Sequence, residues 1–148
     1  MCGISGFLLG PRTNLGNDLT TVVRSMGAAI EHRGPDMYGD WTDPDAGVAL
    51  THQRLSILDL SQAGHQPMAS SCGRFVISYN GEIYNAPALR EELAQTGRTF
   101  RGHSDTEVLI EGIAAWGLRQ TVERAVGMFA FAVWDREQRT LSLVRDRL

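Results

Sequence analysis

The stretch GMFAFAVWDREQRTLSLVRD, residues 127–146, contains two apolar runs on either side of a polar turn. The first run is rich in aromatic and β-branched side chains, which favour strands. The turn REQR spans only residues 136–139, whereas parallel strands need a much longer crossover. The stretch is therefore predicted to form two neighbouring antiparallel strands.

More strands and helices are predicted on the N-terminal side of this pair. Strands are predicted over residues 3–9, 47–53, 55–60 and 74–80. Helices are predicted, from helical spacing of apolar positions and from capping signals, over residues 18–30, 85–97 and 104–116. Because strands and helices do not alternate strictly, this order favours an α+β fold with antiparallel sheets over a doubly wound parallel sheet.

Composition limits the classes of function. At 148 residues, with 43% hydrophobic and 21% charged residues, the chain fits one globular domain over residues 1–148. A formal net charge of -3 without a basic stripe argues against a nucleic-acid partner. The apolar runs are too short to cross a bilayer, so no membrane partner is expected. The N-terminus lacks a basic start and a long apolar run, and we expect a cytoplasmic protein.

The cysteines and histidines do not form a metal-binding pattern. The two cysteines, Cys2 and Cys72, are expected to be free thiols in a reducing compartment. The four histidines occupy positions 32, 52, 65 and 103, which is not the close spacing of metal ligands. No metal site is predicted.

Cys2 directly follows the initiator methionine. If Met1 is removed, one residue carries both a thiol and a free α-amine. In general a thiol has a pKa of about 8.5 and an α-amine a pKa of about 7.8. The amine can therefore accept the thiol proton and later protonate a leaving group. The alternative is a buried structural cysteine at the start of the first strand.

The dipeptide Asn80-Gly81 allows two interpretations. It is the strongest hairpin signal in the chain, typical of a type I′ turn between two apolar strands. It also offers a side-chain amide N–H and an unobstructed backbone N–H, two donors that could stabilise a tetrahedral oxyanion. Both interpretations hold together if the turn presents these groups to the thiol.

Charged residues in three other motifs could bind a substrate. Arg54 follows a predicted strand, and its guanidinium could hold a carboxylate, although a surface arginine is the alternative. Asp105 lies in the first turn of a predicted helix. Its carboxylate either stabilises the helix by interacting with the positive end of the helix dipole or pairs with an ammonium group of a substrate. Arg33 lies in the segment EHRGPD, where it could simply pair with Asp36. Together the candidates complement an α-amino acid with a terminal amide, and glutamine fits.

Six motifs in order extend this reasoning: MCGISGF, HRGPD, HQRLSILD, YNGEIYN, SDTEV and GMFAFAVWD. Over essentially the whole chain they resemble the N-terminal glutaminase domain of glutamine-hydrolysing asparagine synthetases, which are class II amidotransferases of the N-terminal-nucleophile hydrolase type. Phosphoribosylpyrophosphate amidotransferases and glucosamine-phosphate synthases do not typically carry RGPD with RLSILD and NGEIYN. The resemblance implies a four-layer α-β-β-α sandwich with two mainly antiparallel sheets.

The resemblance also implies roles for the residues of the reaction centre. Cys2 matches the nucleophile, exposed once Met1 is removed. Asn80 and Gly81 match the donors of the oxyanion hole. Arg33 lies in a loop that the family places near the active site.

A second set of residues matches the family's glutamine-binding pocket. Arg54 matches the residue that binds the α-carboxylate, and backbone atoms of Ile57 and Leu58 line the same pocket. Glu82 and Asp105 match acidic residues near the α-amino group.

The expected activity is therefore hydrolysis of glutamine to glutamate and ammonia, which needs no cofactor. The family continues past this point into a synthetase domain that uses ATP and Mg²⁺, so we expect the chain to be truncated at its C-terminus and that domain to be its partner. A homo-oligomer is a further candidate for the partner. Two alternatives stay open: a non-catalytic module that binds glutamine or a partner, and an amidotransferase with an acceptor other than aspartate.

Overall fold

The computed structural model describes residues 2–10, 13, 18–55 and 64–147. They form two antiparallel sheets. The first sheet has the order β1-β3-β2, with β1 (Gly3–Leu8), β2 (Met37–Asp43) and β3 (Val48–Arg54). The second has the order β4-β5-β6-β7, with β4 (Met68–Ala69), β5 (Phe75–Ile83), β6 (Gly127–Asp135) and β7 (Thr140–Arg145).

Helices cover the outer face of each sheet. They are α1 (Leu19–Ala29), α2 (Ala86–Gln95), α3 (Asp105–Trp116) and α4 (Leu118–Arg124), with a 3₁₀ turn over Glu31–Arg33. Helix α1 packs on the three strands of the first sheet, while α3 packs on β4 and β5 and against α2 and α4. The layers follow the order helix, sheet, sheet, helices, which confirms the expected four-layer α+β sandwich.

Strand β3 is buried along its whole length. It is the central strand of the first sheet, and it lies between helix α1 on one face and the second sheet on the other. Its alternate side chains point in opposite directions. On one face the Gln53 side-chain amide donates to the carbonyl of Gly27 in α1 at 3.0 Å. On the other face His52 donates through Nε2 to the Tyr79 carbonyl of β5 at 3.0 Å, and so joins the two sheets.

The main apolar core lies between the second sheet and helices α2 and α3. Ile77, Phe131 and Leu93 are each less than 2% exposed there. Alternate residues of β5 and β6 supply this face, in agreement with the period of two in a strand. The opposite face of β5 meets the first sheet, where the Ser78 hydroxyl donates to the Thr51 carbonyl at 3.0 Å.

Most of the predicted elements are confirmed by the structure. The strands around residues 136–139 pair antiparallel, with Asp135 opposite Thr140. The Ser104 side chain caps α3 by accepting the Glu107 backbone N–H. The strand predicted over residues 55–60 lies outside the described residues from position 56 onwards.

Three elements were not predicted: β2, β4 and α4. Strand β2, MYGDWTD, contains a glycine and two aspartates and has no apolar run. It forms because it pairs with the full length of the buried strand β3, from Met37 opposite Arg54 to Asp43 opposite Val48. Tertiary pairing therefore overrides a weak local preference.

Among the described residues, no helix is both long and apolar enough to cross a bilayer.

Candidate active site

A cavity of about 240 Å³ lies where the two sheets and the N-terminus of α3 meet. It is lined by Cys2, Arg54, Leu55, Gly64, Gln66, Tyr79, Asn80, Gly81, Glu82, Ser104, Asp105, Thr106 and Met128. The lining therefore combines residues from the N-terminus, the middle and the C-terminal part of the chain.

Cys2 reaches this cavity from the start of the first sheet. It directly precedes β1, whose first residue Gly3 pairs with Gln53, and this register places Cys2 beside Arg54. The side chain is partly buried, and its Sγ accepts a hydrogen bond from the Leu55 N–H at 3.4 Å. The carbonyl oxygen of Leu55 lies 3.7 Å from the same sulfur. Both Cys2 and Cys72 are free thiols, as expected.

Asn80 and Gly81 lie inside strand β5, so the hairpin turn considered for them is wrong. Asn80 pairs with Ala130 and Gly81 with Phe129 in an uninterrupted ladder. The ladder continues because a Cβ on Gly81 would collide with the Met128 carbonyl and come within 2.6 Å of the Phe129 Cα, whereas glycine allows β6 to approach. The dipeptide therefore marks a close backbone approach rather than a turn.

The backbone of β5 directs the Gly81 N–H away from β6. Successive N–H groups of a strand point to opposite edges, and residues two apart share an edge. The N–H groups of Tyr79 and Ile83 bond to side chains, to Gln66 Oε1 at 2.7 Å and to Asp105 Oδ2 at 3.0 Å. The N–H of Gly81 lies between them along the strand and points to the same edge, which borders the cavity.

Arg54 ends β3 on the face that looks towards the second sheet. Only 7% of the residue is exposed, so the alternative of an ordinary surface arginine is wrong. Gly64 packs directly against the guanidinium, and a Cβ at that position would lie 2.9 Å from the Arg54 Cζ. The cation is therefore held in the cavity wall by a neighbour that has no side chain.

Asp105 is the first residue of α3, immediately after the Ser104 cap. Its Oδ2 accepts hydrogen bonds from the Tyr79 hydroxyl at 2.7 Å and the Ile83 N–H at 3.0 Å. Its Oδ1 accepts the N–H of Thr106 at 2.8 Å. The carboxylate is thus fixed in the cavity by donors from both β5 and α3.

The other residues predicted for the substrate site have mixed positions. Glu82 is exposed and lines the cavity. Arg33 is exposed on the 3₁₀ turn, with its Cβ near Gly3, and it is not among the cavity-lining residues. Ile57 and Leu58 lie outside the described residues.

Several residues of the cavity region were not predicted from the sequence, among them Gln66, Tyr79 and His52. Strand β4 pairs with Ile77 and Val76, and within the described ranges no strand pairs with the same edge of β5 at Tyr79. Two buried side chains satisfy that edge instead: Gln66 accepts the Tyr79 N–H, and His52 donates to its carbonyl. Gln66 also donates to Thr106 at 3.2 Å. No local signal predicts these contacts, because the partners lie far apart in the sequence.

The electrostatics of these buried groups favour their neutral forms. Burial lowers the pKa of His52 to about 4, below its ordinary value of 6.5, against the raising effect of its bond to Tyr79. Burial, followed by the charge of Asp105 and the bond to it, raises the pKa of Tyr79 far above its ordinary value. Tyr79 is therefore a neutral hydrogen-bond donor near neutral pH.

Within the described part of the chain, no cluster of three or more His, Cys, Asp or Glu side chains could hold a metal ion.

Comparison with known proteins identifies the family of the chain. Residues 1–148 match the family described as the glutamine amidotransferase domain. The chain is 37% identical over 157 residues to a putative glutamine-hydrolysing asparagine synthetase of Mycobacterium tuberculosis, covering 99% of this chain and 24% of that protein. It is 39% identical over 150 residues to asparagine synthetase 3 of Bacillus subtilis, covering 100% of this chain and 24% of that protein.

A solved structure supports the fold. The glutamine phosphoribosylpyrophosphate amidotransferase of B. subtilis superposes with a TM-score of 0.57 at 23% identity, over 68% of this chain and 23% of that one. This likeness concerns the fold alone. The chain spans about 24% of the length of the curated relatives described above. The match over residues 1–148 shows that the chain belongs to the glutamine amidotransferase domain family.

Proposed function

We propose that the chain hydrolyses glutamine to glutamate and ammonia, with Cys2 as the nucleophile after removal of Met1. One observation carries the proposal: Cys2, the Asn80-Gly81 pair, Arg54 and Asp105 line a single cavity. Family membership supports the choice of glutamine as the substrate.

The reaction begins at the side-chain amide of the substrate. The α-amine of Cys2 accepts the thiol proton, and the sulfur attacks the amide carbon to form a tetrahedral intermediate. The side-chain N–H of Asn80 and the backbone N–H of Gly81 donate to its oxyanion. The carbon–nitrogen bond then breaks, and the protonated amine returns its proton to the departing nitrogen, which leaves as ammonia.

Water completes the cycle. The same amine accepts a proton from water as it attacks the thioester, and the carbon–sulfur bond breaks to release glutamate and the Cys2 thiol. The oxyanion formed in this step meets the same two donors.

Charged side chains that line the cavity hold the amino-acid part of glutamine. Arg54 binds the α-carboxylate, because its planar guanidinium can donate two parallel hydrogen bonds. Asp105 and Glu82 bind the α-ammonium group. We assign the backbone of Ile57 and Leu58 to the same pocket and Arg33 to its surroundings on the resemblance alone.

The released ammonia is proposed to serve an amide-forming reaction like that of the asparagine synthetases named above. Activation of the acceptor with ATP and Mg²⁺ is assigned to a synthetase domain outside residues 1–148. Aspartate is the acceptor that the relatives' names suggest, and another acceptor is the alternative. The cytoplasmic location and the homo-oligomer stay predictions.

The test compares ammonia release by the purified protein with release by variants, after intact mass has shown removal of Met1. Cys2→Ala is expected to abolish release while still binding glutamine in calorimetry. Asn80→Ala is expected to lower turnover by roughly 10²–10³, the usual loss of one oxyanion donor. Cys72→Ser is the matched control, since the exposed Cys72 does not line the cavity. Glutamine binding without ammonia release by the processed protein would favour the non-catalytic module, whereas ammonia release by Cys2→Ala would contradict Cys2 as the nucleophile.

A further inference from the structure

Tyr79 occupies an unusual position in the cavity wall. The residue is only 2% exposed, yet it lines the cavity and directs its hydroxyl at the Asp105 carboxylate. The backbone on both sides of its Cα is also fixed, by Gln66 at the N–H and by His52 at the carbonyl. The ring therefore has little freedom to move away from Asp105.

The hydrogen bonds on Asp105 divide its two oxygens into different roles. Oδ2 accepts two donors, the Tyr79 hydroxyl and the Ile83 N–H, which occupy its in-plane acceptor positions. Among the described residues, Oδ1 accepts only the Thr106 N–H. One acceptor position of Oδ1 thus stays available to a cation in the cavity.

We infer that Tyr79 is a positioning residue that makes the site selective for substrates with an α-ammonium group, by fixing the Asp105 carboxylate with Oδ1 towards the cavity. The inference rests on the proposed function and adds a residue to it. Without the Tyr79 hydroxyl, Oδ2 loses one of its two donors, and the carboxylate can rotate away from the bound ammonium. Chemistry at Cys2 does not use this contact.

The experiment measures two constants for each variant: the KM for glutamine and the inhibition constant of 4-carbamoylbutanoate, which is glutamine without its α-amino group. Tyr79→Phe is expected to raise the KM for glutamine roughly tenfold, the usual effect of losing a hydrogen bond to a charged group. The kcat is expected to stay within about threefold, and the inhibition constant of the analogue within about twofold.

Tyr38→Phe is the matched control, because Tyr38 also has a buried hydroxyl but does not line the cavity. This variant also removes a tyrosine hydroxyl, but from the first sheet, and it is expected to leave both constants unchanged. A second control combines Tyr79→Phe with Asp105→Asn. Since Tyr79 acts through Asp105, the double variant is expected to be no worse for glutamine than Asp105→Asn alone.

Two results would overturn the inference: a Tyr79→Phe variant that weakens glutamine and the analogue by the same factor, or full additivity in the double variant. Either would indicate that the hydroxyl supports the cavity in general. A protein that releases no ammonia before any substitution would instead contradict the proposed function, so the two failures are distinguishable.

Discussion

At the scale of single residues, the cavity exists where strand β5 loses its neighbour β4. From Tyr79 onwards, this edge of β5 bonds to side chains and has no strand partner among the residues that the structure describes. This arrangement leaves the N–H of Gly81 at the border of the cavity. Unpaired N–H groups at a sheet edge can otherwise pair with another chain. Here the N–H of Gly81 is available for the proposed chemistry instead.

His52 couples this edge to pH. Its Nε2 donates to the Tyr79 carbonyl, and burial holds its pKa at about 4 instead of 6.5. Between these two values the unfolded chain binds a proton that the folded protein excludes, so stability increases with pH through this window. The contribution is fully present above pH 6.5 and is lost as the pH falls towards 4. Its size is about 3 kcal/mol, from about 1.4 kcal/mol for each pKa unit.

The prediction is tested by urea unfolding at several pH values from 4 to 7. Replacement of His52 by Gln is expected to reduce the loss of unfolding free energy between about pH 6.5 and pH 4, relative to the unsubstituted protein. His103→Gln, at an exposed position, is the control and should keep the original pH dependence. Equal pH dependence in the His52 variant and the unsubstituted protein would show that His52 carries no such linkage.

Residues of the site differ in how far the sequence predicts them. Cys2, Asn80 and Arg54 stand in short motifs whose chemistry can be recognised locally, and all three line the cavity. Gln66 could not be found this way, because its side chain contacts Tyr79 at a separation of 13 residues and Thr106 at a separation of 40. Such contacts depend on the assembled fold.

At the scale of elements, helix α3 binds neighbouring loops through two buried glutamates. Glu107 accepts the backbone N–H groups of Arg101 and Gly102, just before the helix starts. Glu111, one turn later, accepts the N–H and the hydroxyl of Ser71. The sequence predicts Glu107 as part of a capping box, but its carboxylate reaches further back than the Ser104 backbone. The helix is therefore predictable, and the loops it binds are not.

Replacement of Glu111 tests this role. Glu111 is only 2% exposed and also pairs with Arg98 at 3.1 Å. Glu111→Ala is expected to lower the free energy of unfolding by about 2 to 3 kcal/mol, because Ser71 and Arg98 lose their acceptor. Urea unfolding at pH 7 measures the change. Glu91→Ala, at an exposed position of α2, is the matched control with an expected effect within about 0.5 kcal/mol. Equal losses in the two variants would contradict the role of Glu111.

Strands differ in the same way. The aromatic and β-branched runs in β5 and β6 predict their own structure, because these side chains supply the buried core face of the second sheet. Strand β2 is polar and forms only through its pairing with β3. Strand β4 has two residues, too few for any periodic signal.

At the scale of the whole molecule, the layered arrangement brings distant parts of the chain to one place. The first sheet supplies Cys2 and Arg54, the second supplies Asn80 and Gly81, and the outer helical layer supplies Asp105. No single element holds both the nucleophile and the oxyanion donors. The proposed chemistry therefore depends on the packing of the two sheets, which the sequence predicts only through the family resemblance.

Covalent trapping tests the central proposal that Cys2 is the nucleophile of a glutamine site. The protein, with Met1 removal checked by intact mass, is incubated with a glutamine analogue that carries a diazoketone in place of the amide. The diazo carbon takes up the proton of the thiol, the thiolate then displaces nitrogen gas from that carbon, and the new carbon–sulfur bond leaves the sulfur alkylated. Peptide mass spectrometry is expected to find one adduct, on Cys2, that excess glutamine suppresses and that Cys72 does not share. An unmodified Cys2, or an adduct on Cys72 with the same sensitivity to glutamine, would contradict the proposal.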